Sequence, residues 1–152
     1  MDDTPRPEKR TALRAYPRVI RPTRLLYAGG VWLGLAVLAI LNAGVREVFV
    51  APVAGDYWGH VTSTVTFIAA LSVVSYLYFT RYTEHSVREL VAIGSMWFVM
   101  TVLFEFGFGH YVMGNTWEAL LRDYNVLAGR VWVLVLLALL VAPVVFGHYL
   151  QR

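Results

Sequence analysis

Four apolar stretches, each about nineteen residues long, constrain this chain more than any other feature of its sequence. They run over residues 25–43, 61–79, 90–108 and 131–149. As a helix each measures about 28 Å, close to the roughly 30 Å hydrocarbon core of a bilayer. A helix of that length lying against water carries a polar face, and these four mostly do not. The expected fold is therefore an all-α membrane protein, a four-helix transmembrane bundle built by residues 25–152 in up-down order. A signal peptide is the competing reading of the first stretch. Its apolar run is longer than the usual signal core, and no small-residue cleavage site follows before Arg46 and Glu47, so the segment reads as a retained signal-anchor.

Charge placement orients the four crossings. Only 15% of the 152 residues are charged, against roughly 25% in an average soluble domain. Seven of the 13 Lys and Arg residues precede Leu25: Arg6, Lys9, Arg10, Arg14, Arg18, Arg21 and Arg24. The net charge of +3 thus describes a basic arm over residues 1–24, rich in proline and without apolar period, expected to be disordered. Such an arm beside a membrane helix is a topology signal and a contact for anionic lipid headgroups, and a nucleic-acid role does not follow from it. It puts the N-terminus in the cytoplasm. Four crossings return the C-terminus to that side, and the short link 80–89, with Arg81 and Arg88, obeys the same rule. The expected location is the inner (cytoplasmic) membrane of a bacterial cell, multi-pass, with links 44–60 and 109–130 facing outward. Tyr57, Trp58, Tyr111, Trp117 and Trp132 then form an aromatic belt at the outer boundary.

The outer links differ in character. The first holds the apolar run Val48–Phe49–Val50–Ala51–Pro52–Val53–Ala54, which is expected to extend helix 1 and then fold back on the bundle. In the second, Asn115 and Glu118 have the spacing of a capping box. Trp117, Leu120, Leu121 and Tyr124 share one face there, with Glu118 placed to pair with Arg122. That is a short interfacial amphipathic helix between helices 3 and 4, lying like a lid. Gly30 and Gly34 form a GxxxG, a pattern that lets helices approach closely. Pro143 is expected to kink helix 4.

Chemistry has few places to reside. The absence of cysteine excludes disulfides, thiolate metal sites and cysteine nucleophiles. No phosphate loop, nucleophile elbow, HExxH motif or paired catalytic carboxylates occur, so the chain leans away from being an enzyme and no catalytic residue is assigned. Glu105 is the most informative residue, because an ionisable group inside an apolar span is costly and normally faces the protein interior with a partner. It reads as a proton carrier, a cation ligand or a substrate contact, or else as a structural ion pair with Arg46 or Arg130. Asn42 lies one turn from Arg46 on the same face of helix 1. His60 opens helix 2, and Arg130 opens helix 4. His60 and His110 sit at similar depth and define the one haem or metal alternative. Glu105 and His110, however, are about 140° apart on a helix. No cofactor is otherwise expected. His85 and His148, near the inner boundary, read as solvated.

The stretches Leu41–Asn42–Ala43–Gly44–Val45–Arg46–Glu47 through Pro52, and Phe104–Glu105–Phe106–Gly107–Phe108–Gly109–His110–Tyr111 through Trp117, Tyr124 and Gly129–Arg130, resemble a group of small bacterial four-span integral membrane proteins whose activity is uncharacterised. The resemblance covers the chain from about residue 25 onward. It implies the four-helix fold and no activity.

The function expected from these residues is binding, with transport as its extension, of a lipid headgroup or small polar molecule. The site is an outer-leaflet polar cluster of Asn42, Arg46, His60, Glu105 and Arg130. Two alternatives stand beside it: a structural or assembly subunit of a larger membrane complex, and a haem or metal redox protein using His60 and His110. Membrane lipids are the expected partners, and a pore would require a homo-oligomer.

Overall fold

The computed structural model describes residues 20–150, so most of the basic arm expected over residues 1–24 lies outside the described residues. The described chain is helical, with no strand. Its elements are α1 (Pro22–Val45), α2 (Ala51–Arg81), α3 (Val87–Gly107), the short α4 (Trp117–Arg122) and α5 (Val133–Tyr149). Five-residue π-helical turns follow α1 (Arg46–Val50) and α3 (Phe108–Val112).

Two helical stretches, Pro22–Arg81 and Val87–Val112, are long and apolar enough to cross a membrane, with mean hydropathy 1.9 and 1.8. The first is not one rod. Helical backbone continues from α1 through the π-turn to Ala54, and Gly55 then breaks it with φ +81°. Side chains other than glycine's rarely adopt that backbone conformation, so this residue makes the reversal. Four residues later a β-carbon at Gly59 would sit 3.4 Å from Ala51, in ordinary contact, so the two arms touch just beyond the bend. The link expected over 44–60 is therefore helix except at Gly55. Pro52 has no N–H to give to a helical ladder, and the widened turn immediately before it accommodates the lost bond.

Proline and serine start the other helices. Pro22 sits at the beginning of α1, where its fixed φ suits a first turn. Ser86 caps α3, its hydroxyl accepting from the Glu89 N–H at 3.2 Å. The core is Trp32 and Leu35 of α1, Phe67, Leu71 and Phe79 of α2, Leu90, Ile93 and Trp97 of α3, and Val135, Leu136 and Leu139 of α5. α5 packs on both α2 and α3. Its contact with α3 is close because a β-carbon at Gly94 would collide with the Leu140 carbonyl, and one at Gly147 with the Leu90 side chain. Gly30 and Gly34, by contrast, have nothing within 4 Å of where a β-carbon would lie. Among the described residues the GxxxG pattern has no close neighbour, and the close approach is made by glycines on other helices.

α1 is held more lightly. It meets α3 through the Trp97 indole donating to the Ala28 carbonyl at 2.8 Å and the Trp32 indole donating to Thr101 Oγ1 at 2.9 Å. Beyond Trp32, toward the Gly55 end, α1 and α3 part. The outward faces of the helices remain apolar: Leu33, Leu41, Val65, Leu77, Leu103 and Leu134 are each more than half exposed.

Candidate functional site

The gap between α1 and α3 is a cavity of about 660 Å³. Its depth is apolar, with Trp32, Leu35, Phe67 and Leu139 at the bottom and Ala36, Ala39 and Ala43 down the α1 side. Two aromatic pairs frame it. Trp32 meets Phe104 edge to face at 6.1 Å, and Phe67 stacks on Trp132 at 6.5 Å. The mouth, at the Gly55 end, is polar and is formed by Asn42, Arg46, Glu47, His60, Ser63, Glu105, Asp123 and Tyr124. Both π-turns border it, one carrying Arg46 and Glu47, the other Phe108 and Gly109. Widened turns of this kind recur at functional sites because they re-aim side chains out of the regular ladder.

Four of the five residues expected to form one site line this cavity: Asn42, Arg46, His60 and Glu105. Asn42 donates to the Ser63 hydroxyl at 2.7 Å and to the Ser63 carbonyl at 2.9 Å, joining α1 to α2. Arg46 bridges to Glu47, Nη2 to Oε1 at 2.5 Å and Nε to the same oxygen at 3.1 Å, and its Nη1 lies 3.0 Å from His60 Nδ1. A guanidinium only donates, so His60 Nδ1 accepts, the ring is neutral, and its proton is on Nε2. That Nε2 is buried and has no hydrogen-bond partner among the described residues.

Arg130 stands elsewhere. It lines a neighbouring recess of about 330 Å³ with Asp56, Tyr57, His60 and Arg122, and its Nη1 is 3.8 Å from Asp123 Oδ1. His60 is shared by both spaces and forms the wall between them.

Glu105 takes neither of its expected arginine partners. The Tyr124 hydroxyl donates to its Oε2, and Trp132 is a second hydrogen-bonding neighbour of the carboxyl. Burial, and then the hydrogen bond to Glu105, push the Tyr124 phenol well above its ordinary value, so it stays a donor at every physiological pH. The pairing follows from α4. Thr116, rather than Asn115, caps this helix, accepting from the Ala119 N–H at 3.2 Å. Of the four apolar residues expected on its inward face, Leu120 and Tyr124 are half-buried toward the cavity, while Trp117 and Leu121 are exposed. Leu120 lies over Gly109, where a β-carbon would strike its side chain. Arg122 and Glu118 pair as expected, at 3.9 Å and in the open.

His110 is not a cavity residue. Its ring stacks on Trp117 at 4.1 Å, and Nδ1 is 2.8 Å from the Asn115 carbonyl, so it braces the lid. Among the described residues no group of three or more His, Asp or Glu side chains gathers as a metal site.

A second polar cluster at the opposite end escaped the sequence reading. Glu89 is fully buried. Its Oε1 accepts from the Arg21 backbone N–H at 3.1 Å, and its Oε2 accepts from Arg21 Nη2 at 3.2 Å. The same Oε2 is 3.1 Å from Nδ1 of His85, whose side chain is buried rather than solvated. Arg21 also donates to the Glu84 carbonyl. Burial lowers the His85 pKa, and the attraction of Glu89 only partly opposes this. The visible signal was the Ser86–Val87–Arg88–Glu89 capping-box spacing.

No protein-family model, curated protein or solved structure matches the chain.

Proposed function

We propose that this chain is a four-span integral protein of the inner membrane, with both termini cytoplasmic, and that it binds a ligand at the outer end. The ligand's polar part meets the mouth of the cavity and its apolar part fills the depth. The membrane reading is supported by the exposed leucines and valines around all four long helices. Facing water they would make an apolar surface far beyond the few hundred Å² that soluble monomers carry. Tyr57, Trp58, Tyr111 and Trp117 are exposed at the Gly55 end, as interfacial aromatics are.

One observation carries the binding reading: a cavity of about 660 Å³, within the usual range for small-molecule sites, with a mainly apolar interior and its charged groups gathered at the mouth. The unpartnered His60 Nε2–H adds a buried donor for an incoming acceptor. α4 and the turn after it, with Leu120 and Tyr124 turned inward, are the cover. Lipid headgroups and small polar molecules with an apolar portion are the ligand classes that suit this division.

Native mass spectrometry of gently solubilised protein tests this. A defined extra mass on the wild-type chain, lost in Ala39→Phe, is the expected result, because the larger side chain fills the cavity without touching the polar mouth. A bare chain, or one carrying only heterogeneous bulk lipid, overturns binding and favours the assembly-subunit alternative.

A further inference from the structure

Glu105 lacks a counter-ion. Among the described residues no Lys, Arg or His lies within ion-pair distance of it, although Arg46 and Arg130 border the same end of the fold. Both arginines are already matched, Arg46 with Glu47 and Arg130 with Asp123. The charged side chain that does influence Glu105 is another acid, Asp123. A carboxyl in apolar surroundings is stabilised by ionising only when a positive charge reaches it. Its hydrogen bond from Tyr124 supplies a dipole and no charge.

The walls beside this carboxyl are rings. Phe104 and Phe108, one residue before and three after Glu105, stack on each other at 5.1 Å, and Trp132, a hydrogen-bonding neighbour of the carboxyl, lines the same cavity. Ring faces attract cations, most strongly when water is excluded, and aromatic enclosures are the usual hosts for organic ammonium groups. Among the described residues no three carboxylate or imidazole groups gather here, which is poor ligation for a hard inorganic cation. A bulky cation with delocalised or alkylated charge needs little ligation and gains from the apolar depth.

We propose that the cavity binds a hydrophobic organic cation, with Glu105 as its counter-ion and the aromatic walls as its cage. This names the ligand class of the site put forward above and rests on that reading.

Tetraphenylphosphonium and tetraphenylborate have nearly the same shape and opposite charge, so together they separate charge from fit. Equilibrium dialysis of each is made against the protein in phosphatidylcholine nanodiscs, with empty nanodiscs as the partition baseline. Saturable binding of about one phosphonium per chain is expected, with no saturable binding of the borate. Glu105→Gln keeps the size and hydrogen-bonding capacity of the side chain and should weaken the phosphonium at least about tenfold, whereas Glu105→Asp should retain it. If Glu105→Gln does not fold, wild-type discrimination between the two probes decides alone. Equal binding of both ions, or phosphonium binding unchanged in folded Glu105→Gln, overturns the cation assignment. Absence of phosphonium binding also overturns it. In that case a defined mass retained by the wild-type chain and lost in Ala39→Phe leaves the binding site standing with another ligand class. A bare chain ends both readings.

Discussion

At the scale of single residues, position in the sequence and position in the fold carry different information. Glu105 was recognisable because it interrupts an apolar span, and Asn42, Arg46 and His60 because they gather at the same end of two helices. Their partners were not recognisable. Tyr124 reaches Glu105 only because the Thr116 cap sets the phase of α4, and one residue of phase decides which side chains face the cavity. Arg130 was placed by depth alone, which says nothing about the direction its side chain takes. His85 and Glu89 were hidden for a related reason: boundary residues read as solvated, and their contact depends on Arg21 arriving from 68 positions away. Their burial has a measurable consequence. With the folded His85 pKa below its unfolded value of about 6.5, the unfolded chain binds more protons as pH falls through that value. Stability is therefore retained above about pH 7 and declines below it. The melting temperature in nanodiscs should drop between pH 8 and pH 5.5, and His85→Gln should reduce that drop. An equal drop in both proteins would remove His85 as its source.

At the scale of elements, helix existence was written in the sequence and helix contact was not. Long apolar runs require helices wherever they lie, since backbone groups away from water must pair internally. Which faces meet depends on which glycine has a neighbour's backbone against it, and among the described residues that is Gly94 of α3 and not the GxxxG glycines of α1. Gly94 is the position that matters: Gly94→Ala should destabilise the protein by about 1–3 kcal/mol, because the added methyl meets backbone that cannot move aside like a side chain. Gly30→Ala, with open space around it, should be neutral or slightly stabilising. Thermal unfolding of the two variants in parallel checks the assignment, and equal losses would mean that α1 has a close neighbour outside the chain. The π-turns were also beyond sequence reading. Each adds one residue to a turn, and that single residue decides whether Arg46 lies over His60 or to one side of it.

At the scale of the whole molecule, α2, α3 and α5 form a tight unit, while α1 meets α3 at one end and only α2 at the other. The polar mouth and the Glu89 cluster occupy opposite ends, and the proposed orientation puts the mouth outside the cell. The chain has no cysteine, so single introduced cysteines report that orientation without background. In intact cells with the outer membrane opened, Asp56→Cys should react with a membrane-impermeant maleimide, and Glu84→Cys should react only after the inner membrane is broken. The reverse pattern would turn the protein over and put the cavity mouth in the cytoplasm.

The width of the cavity on one side and the closest helix contact of the fold are set on different helices. Ala36, Ala39 and Ala43 set how wide the cavity is from the α1 side, while the α3–α5 contact through Gly94 and Gly147 secures the scaffold without them. Exchanging an alanine on α1 for a larger or smaller neighbour thus alters what fits while leaving the scaffold contact intact. Under the proposed binding role, substitutions along that face of α1 would change the ligand while the Gly94 and Gly147 contacts stay as they are, so related chains should diverge first there.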